Sequence, residues 1–478
     1  MHTCPRNEEG GVRVFTPHRR KEQRVAARYV LIGAGSVSFT RGLVADIIRT
    51  GKEIELGLVD ISPEALDVAE KLVARMVAAK GASIRITASL DRRDLLPGAH
   101  AVICTVGVGG RRAWAADITV PRKHGVFQPV GDTAMPGGLS RALRMIPAMV
   151  GVARDVLELC PDALFFNYGN PMTAVCRAIR KATGANVVGL CHGVLGVAQY
   201  LAKFISVPFN EVAYTAVGLN HMTWFTEFRH KGRDAWPAVR AEVAKRLGCE
   251  PDGLLDAFAA LGDSPEALVK IDNPFSWHAF ALYGAFPAVL DRHAIEFFPQ
   301  LIPGGAYYGK TLGVDAFSME AVIEGGERAW EQMRRVALGQ EPLPDAYFGS
   351  GGGEHEQVIS IIDSVDTDAG RLYSANLPNR GQVTNLPPEA VLESPAIADA
   401  SGLRPIALGE LPSGLAATLA SRIAVIETIV DAALQGSRGL FVQALVAEGS
   451  VGSVAKAQLL ADDLLAAHAE HLPQFAAR

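Results

Sequence analysis

The stretch Tyr29-Val30-Leu31-Ile32-Gly33-Ala34-Gly35-Ser36-Val37-Ser38-Phe39 decides the fold. Four apolar residues run straight into a glycine turn and a helix opens near Thr40, so the first amides of that helix can hold a diphosphate. A second apolar run, Ile54 to Val59, ends at Asp60, where a carboxylate can accept hydrogen bonds from ribose hydroxyls. Gly33, Gly35, Ser36, Phe39 and Asp60 are the candidate dinucleotide contacts. Ser38 stands where a third glycine usually lets helix and strand pack, so an ordinary strand-to-helix turn is the competing reading.

Downstream, a helical pattern over 63–80 and apolar runs at 83–87, 101–106, 163–167 and 186–190 alternate with helices at 142–159 and 173–181. This predicts a doubly wound parallel sheet, a Rossmann-type domain over 29–195. Residues 196–478 change character. Strands at 212–218 and 224–230 precede helices over 236–261, near 315–338, 412–435 and 452–470, short strands near Tyr373 and Val391, and a glycine-rich turn at 349–353. That half is expected to be an α+β domain, so the fold class is α/β, and the family resemblance described below implies a C-terminal half like that of lactate and malate dehydrogenases. Residues 1–28 are polar and without period, and read as a disordered N-terminal extension.

A chain of 478 residues is long enough for two cores. Its 46 basic and 51 acidic residues leave a charge of −5, which argues against nucleic acid or an anionic membrane as a partner. No apolar segment reads as long enough for a membrane helix, and no secretory signal opens the chain. A cytoplasmic protein is expected. Six cysteines without a Cys-x-x-Cys pair form no disulfide framework. Asn167, Asn170, Cys191 and His192 follow predicted strands, and Asn220-His221 follows a strand of the second half, which is where such a sheet keeps its ligands. Spacing alone leaves Cys191 and His221 either a metal pair or two unrelated polar residues.

Five ordered segments carry a resemblance. They are the glycine turn above, Gly131-Asp132-Thr133-Ala134-Met135-Pro136-Gly137-Gly138 with Arg141-Ala142-Leu143-Arg144, Asn167-Tyr168-Gly169-Asn170-Pro171-Met172, Cys191-His192-Gly193 and Gly218-Leu219-Asn220-His221. Together, and with Asn376-Leu377-Pro378-Asn379-Arg380-Gly381 near the end, the sequence closely resembles glycoside hydrolase family 4, glycosidases that need NAD and a divalent metal, usually Mn2+. The resemblance implies that NAD takes hydride from sugar C3, a base removes the C2 proton, the C1 leaving group departs, water adds and the hydride returns, outside the usual two-carboxylate scheme. It implies Cys191 and His221 as metal ligands, Asn167 beside the cofactor and Asn170 on the sugar. Thiolate plus imidazole favours Zn2+ over Mn2+ in intrinsic affinity, so Mn2+ rests on the resemblance. Asp291 is the expected base, with a helix-capping aspartate as the alternative reading and Tyr283 in reserve. Asp132 or His192 is the expected acid.

Cys-His-Gly resembles members acting on unphosphorylated α-glycosides. Arg292 and His293 place two cationic groups beside the expected base, so an α-uronide is expected, ahead of a neutral α-glucoside or α-galactoside. Arg292 could instead pair with Glu296, one helical turn on. The partner is thus a small glycoside, and the resemblance implies a homodimer or homotetramer. A 2-hydroxyacid dehydrogenase would share the first half but would accumulate NADH and need no metal thiolate. An NAD-sensing regulator would need no cluster of Cys191, His221 and Asp291.

Overall fold

The computed structural model describes residues 26–349 and 357–476. The stretch 1–25, most of the expected extension, and residues 350–353 of the expected glycine turn lie outside the described residues. Strand β1 spans Ala27–Ile32, two residues earlier than expected, because Arg28 pairs with Glu55 on the neighbouring strand at 2.8 Å. Strands β2 (Ile54–Val59), β3 (Ile84–Ser89), β4 (Ala101–Cys104), β5 (Leu164–Asn167) and β6 (Val187–Gly189) join it in the parallel order β3-β2-β1-β4-β5-β6. The chain direction of the connections reverses between β1 and β4, and the crevice beyond their C-terminal ends is where such sheets bind ligands.

Apolar runs buried on both faces explain the parallel strands, since β2 is buried along its whole length and β4 likewise. Helix Pro63–Lys80 matches its expected bounds, with Ser62 accepting from Ala65 N at the start and Gly81 in the left-handed region at the end. The helix expected from Ala142 begins earlier, at Met135, with Pro136 in its first turn. Helix Gly110–Lys123 was not anticipated, because Gly109-Gly110 and Pro121 read as breakers.

The sheet does not stop at β6. Arg371–Pro378 pairs with β6, and Val391–Asp399, β7 (Val212–Leu219), β8 (Met222–His230) and Phe286–Pro287 continue it, while Gly402–Pro405 pairs with Val391–Asp399 and Arg233–Asp234 with β8, giving a 13-stranded sheet among the described residues. The second half is therefore α+β and antiparallel, fused edge to edge with the parallel half.

Helix Ser413–Gln435 corrects one expectation. It is long and apolar enough to cross a membrane. Here it packs on helices Met135–Leu159, Met172–Thr183 and Arg438–Glu448, burying Leu415, Leu419, Ile423 and Val430 against them. Glu427 adds an ion pair to Arg177 of helix Met172–Thr183, a further tie to that neighbour.

Candidate active site

A cleft of about 840 Å³ opens along the carboxyl ends of β1, β4 and β5. At one end lie Gly33, Gly35, Ser36, Phe39 and Asp60, and at the other Asp132, Asn170, His192, Arg292 and His293. The glycines are required by space. A Cβ on Gly35 would lie 2.6 Å from Ala65 Cβ and 2.9 Å from Asp60 Oδ2, and Gly33 holds φ +91° with its N–H donating to Val59 O at 2.8 Å. Asp60 accepts from Gly35 N and Ser62 N, both at 2.9 Å, so one carboxylate ties the glycine turn to the next helix. Phe39 packs on Tyr168 with centroids 5.1 Å apart.

At the other end, β7 and β8 are joined by the two-residue turn Asn220-His221, with His221 at φ +63°. The turn buries the imidazole, 6% exposed, with Nε2 3.7 Å from Cys191 Sγ. Cys191 lies two residues past the end of β6 and accepts from Gly193 N at 3.4 Å, at the start of helix Gly193–Phe204. Cleft-lining His293 stacks on His221 with ring centroids 4.1 Å apart, and its Nδ1 is 3.8 Å from Asp132 Oδ1. Asp132, His221 and His293 lie close enough to face one cation together.

Electrostatics separate these groups. Burial, reinforced by His293, pushes the His221 imidazole well below its ordinary value. Burial likewise lowers His293, against the pull of Asp132. Both rings are neutral at neutral pH, which suits a ligand or a proton acceptor. Burial opposes charge on Asp132, yet His293, His221 and Arg141 hold its carboxyl below the usual range, and with the rings neutral Arg141 supplies the lasting positive charge. Asn170 Nδ2 donates to Asp132 Oδ2 at 3.1 Å. The Asn170 Oδ1 is buried and without a partner among the described residues.

Three expected site residues lie outside the cleft lining. Asp291 is 0% exposed, and its carboxylate accepts from Phe275 N (3.0 Å), Ser276 N (2.7 Å), Ser276 Oγ (2.6 Å) and Tyr307 OH (2.7 Å). Its carboxylate sits at the start of helix Pro274–Tyr283, outside the cleft lining. Tyr283 packs on Trp224 and Phe298 outside the cleft lining. Asn167 is also 0% exposed, and both ends of its amide are engaged by Gly169, so it braces the strand-end turn instead of lining the cleft.

Arg292 does not pair with Glu296. Glu296 turns to the loop before Asp132, where Oε1 accepts from Val130 N at 3.2 Å and from Gly131 N. Arg292 lines the cleft with its Nε buried and unpartnered among the described residues. Arg111, Arg112 and Trp114, also in the cleft wall, were missed. The signal for them was Gly107-Val108-Gly109-Gly110 a few residues past the end of β4, a glycine-rich strand-to-helix connection like the one at Gly33.

Known proteins fit this arrangement. Residues 28–207 match the model of the family 4 glycosyl hydrolases, and residues 216–451 match that of the family 4 glycosyl hydrolase C-terminal domain. An alpha-glucosidase of Erwinia rhapontici is 32% identical over 441 residues, 89% of this chain and 94% of the relative. An alpha-galactosidase of Rhizobium meliloti (strain 1021) is 31% identical over 94% of this chain and 90% of its own length. An alpha-galacturonidase of Bacillus subtilis (strain 168) is 29% identical over 87% of this chain and 91% of its own length. The solved 6-phospho-alpha-glucosidase from gut microorganisms in complex with NAD and Mn2+ shares the fold, with TM-score 0.78 and 19% identity over 94% of this chain and 99% of that one. With both halves matched and the strand-end cleft in place, the chain belongs to the family 4 glycosyl hydrolases and is a glycosidase.

Proposed function

We propose that the chain hydrolyses an unphosphorylated α-glycoside, an α-uronide first, with NAD and Mn2+ as resident cofactors. The observation that carries this reading is one cleft joining the glycine turn and Asp60 to the residues beside the Cys191 and His221 pair. The donor chemistry fits both groups. The Gly33 and Gly35 backbone has no room for a Cβ, as close approach of a dinucleotide requires, and a thiol, a neutral imidazole and the buried Asn170 Oδ1 suit a divalent cation. NAD supplies a reversible hydride acceptor for sugar C3, and the cation supplies polarisation of the neighbouring oxygens.

The chain's own residues do the rest. Cys191 and His221 hold the metal, and Asn170 orients the sugar. His293 takes the C2 proton, the role that the sequence suggested for Asp291, because it is a neutral imidazole at the cleft surface two residues further on. Asp132 or His192 gives a proton to the departing oxygen. Arg292 receives the sugar carboxylate, supported by its buried, unpartnered Nε and by the alpha-galacturonidase relative. The neutral-sugar reading has its own support, since the alpha-glucosidase and alpha-galactosidase relatives are 32% and 31% identical. No disulfide joins the described cysteines, which supports a reducing, cytosolic setting.

The test is kcat/KM on 4-nitrophenyl α-glucuronide and α-galacturonide against the matching neutral α-glycosides, with NAD and Mn2+, in wild type and Arg292→Ala. The uronide is preferred, and Arg292→Ala lowers its kcat/KM about tenfold to a hundredfold while sparing the neutral sugar, as loss of a charge-assisted contact does. A wild-type preference for the neutral sugar, with both activities lost equally in the variant, overturns the uronide assignment. Full activity after stripping of NAD and metal overturns the cofactor assignment.

A further inference from the structure

Thr133 stands in the Gly131-Asp132-Thr133 loop and received no role from the sequence. Its hydroxyl lies 2.8 Å from Asp132 Oδ1 and 2.8 Å from His221 Nδ1. A hydroxyl has one proton to donate, and an ionised carboxylate can only accept. The Thr133 proton therefore points to Asp132, and its oxygen is left to accept from His221. Only an Nδ1–H imidazole can donate in that direction.

We propose that Thr133 fixes the tautomer and ring orientation of His221, holding the proton on Nδ1 so that the Nε2 lone pair faces Cys191 Sγ, 3.7 Å away. Thr133 is thus a positioning residue of the metal centre, a hydroxyl inserted between a ligand imidazole and the carboxylate that usually orients one. This rests on the reading of Cys191 and His221 as the metal ligands.

The surroundings make the relay rigid. The His221 backbone is held in the left-handed region, and Asn220 N donates to Thr173 Oγ1 at 3.3 Å, so ring rotation is the main freedom left. On the other side, the Thr133 backbone lies flat on the first turn of helix Met135–Leu159. A Cβ on Gly138 would come within 2.3 Å of the Thr133 carbonyl carbon. Glu296 clamps the loop one turn back through Val130 N and Gly131 N.

The test uses the full chain with 15N-labelled histidine, His221 being assigned by comparison with His221→Gln. In metal-free protein the His221 ring nitrogens report an Nδ1–H tautomer. Thr133→Val keeps the side-chain shape without the hydroxyl, and it converts this pattern to a mixture or to the Nε2–H form. By calorimetry, Mn2+ affinity falls about tenfold to a hundredfold, the usual effect of losing an orienting partner. Thr133→Ser restores both readouts, and NAD affinity stays at the wild-type value in both Thr133 variants. Should Thr133→Val fold poorly, Thr133→Ala reads the same tautomer. An unchanged Nδ1–H pattern in the folded variant overturns the proposal. Separately, wild-type Mn2+ affinity in Cys191→Ser overturns the metal reading, and the metal-free spectra still decide the tautomer question.

Discussion

The loop at 130–134 and the turn at 291–297 touch each other through Glu296, yet their two aspartates live in opposite worlds. Asp291 has four donors on two oxygens and no access to the cleft. Asp132 has two donors, Thr133 Oγ1 and Asn170 Nδ2, and borders the cleft beside two imidazoles. A carboxylate whose lone pairs are all engaged by its own fold holds a fold together. One that keeps spare acceptor capacity at a water-accessible surface can exchange protons with a substrate. The difference is one of remaining hydrogen-bonding capacity, and residue type says nothing about it.

Replacing each aspartate tests that contrast. Asp132→Asn keeps the shape and removes the charge, and kcat on the preferred 4-nitrophenyl α-glycoside falls about a hundredfold to ten-thousandfold, with little change in melting temperature. A near-wild-type kcat would break the comparison at its functional end. Asp291→Ala leaves buried donors of residues 275, 276 and 307 unsatisfied and costs about 3 kcal/mol or more in urea unfolding, while kcat per folded molecule stays within a few fold. If instead stability holds and kcat collapses, Asp291 is a chemical group after all.

Another carboxylate, this one fully buried, sharpens the scale. Glu393 accepts from Thr223 Oγ1 at 2.8 Å and Asn220 Nδ2 at 3.3 Å, and its Oε1 has no partner among the described residues. Burial pushes its carboxyl up from 4.5 to about 7, only partly countered by those hydrogen bonds. The folded state thus holds a proton that the unfolded chain has released between these values, so stability is highest below pH 4.5, falls as pH rises to about 7, and then levels. The contribution is on the order of 3 kcal/mol. Glu393→Gln removes this segment of the pH dependence, read from urea unfolding at pH 5 and pH 8. An unchanged slope in the variant assigns the effect to another group.

The parallel half was readable because its signals are local. An apolar run, a glycine turn and a closing acid at Asp60 are contiguous, and the helix Pro63–Lys80 carries its own cap residue and terminator. Cys191 and His221 were readable as candidates since strand ends converge, and the structure brings them to 3.7 Å. The surroundings of Asp291, Tyr283 and Asn167 were not legible for one shared reason. Which way a side chain points at a turn depends on donors far along the chain, such as Ser276 and Tyr307 for Asp291. The expected Arg292 to Glu296 pair failed similarly, because the helix at Asp291–Ala294 gives way to a 3-10 turn over Ile295–Phe297 and Glu296 finds backbone amides of the 130–131 loop. Thr133 carried no compositional signal at all. Its role exists only where a hairpin turn, a loop and a carboxylate meet.

The unbroken sheet makes the molecule a ruler. The glycine turn follows β1 and Cys191 follows β6, with β4 and β5 between them. Their separation across the sheet is set by three strand spacings of about 4.8 Å each, a length written in backbone hydrogen bonds. No linker between halves can lengthen or shorten it, so the cofactor end and the metal end keep their registration whatever side chains change around them. Evolution of new sugar preferences on such a frame falls to the loops above the strand ends, where residues like Arg292 can be exchanged while the scale beneath them stays fixed. A cut placed between the halves would split the ruler itself and bare the edge of β6, a strand that has no charged or proline guard of its own against pairing with another chain.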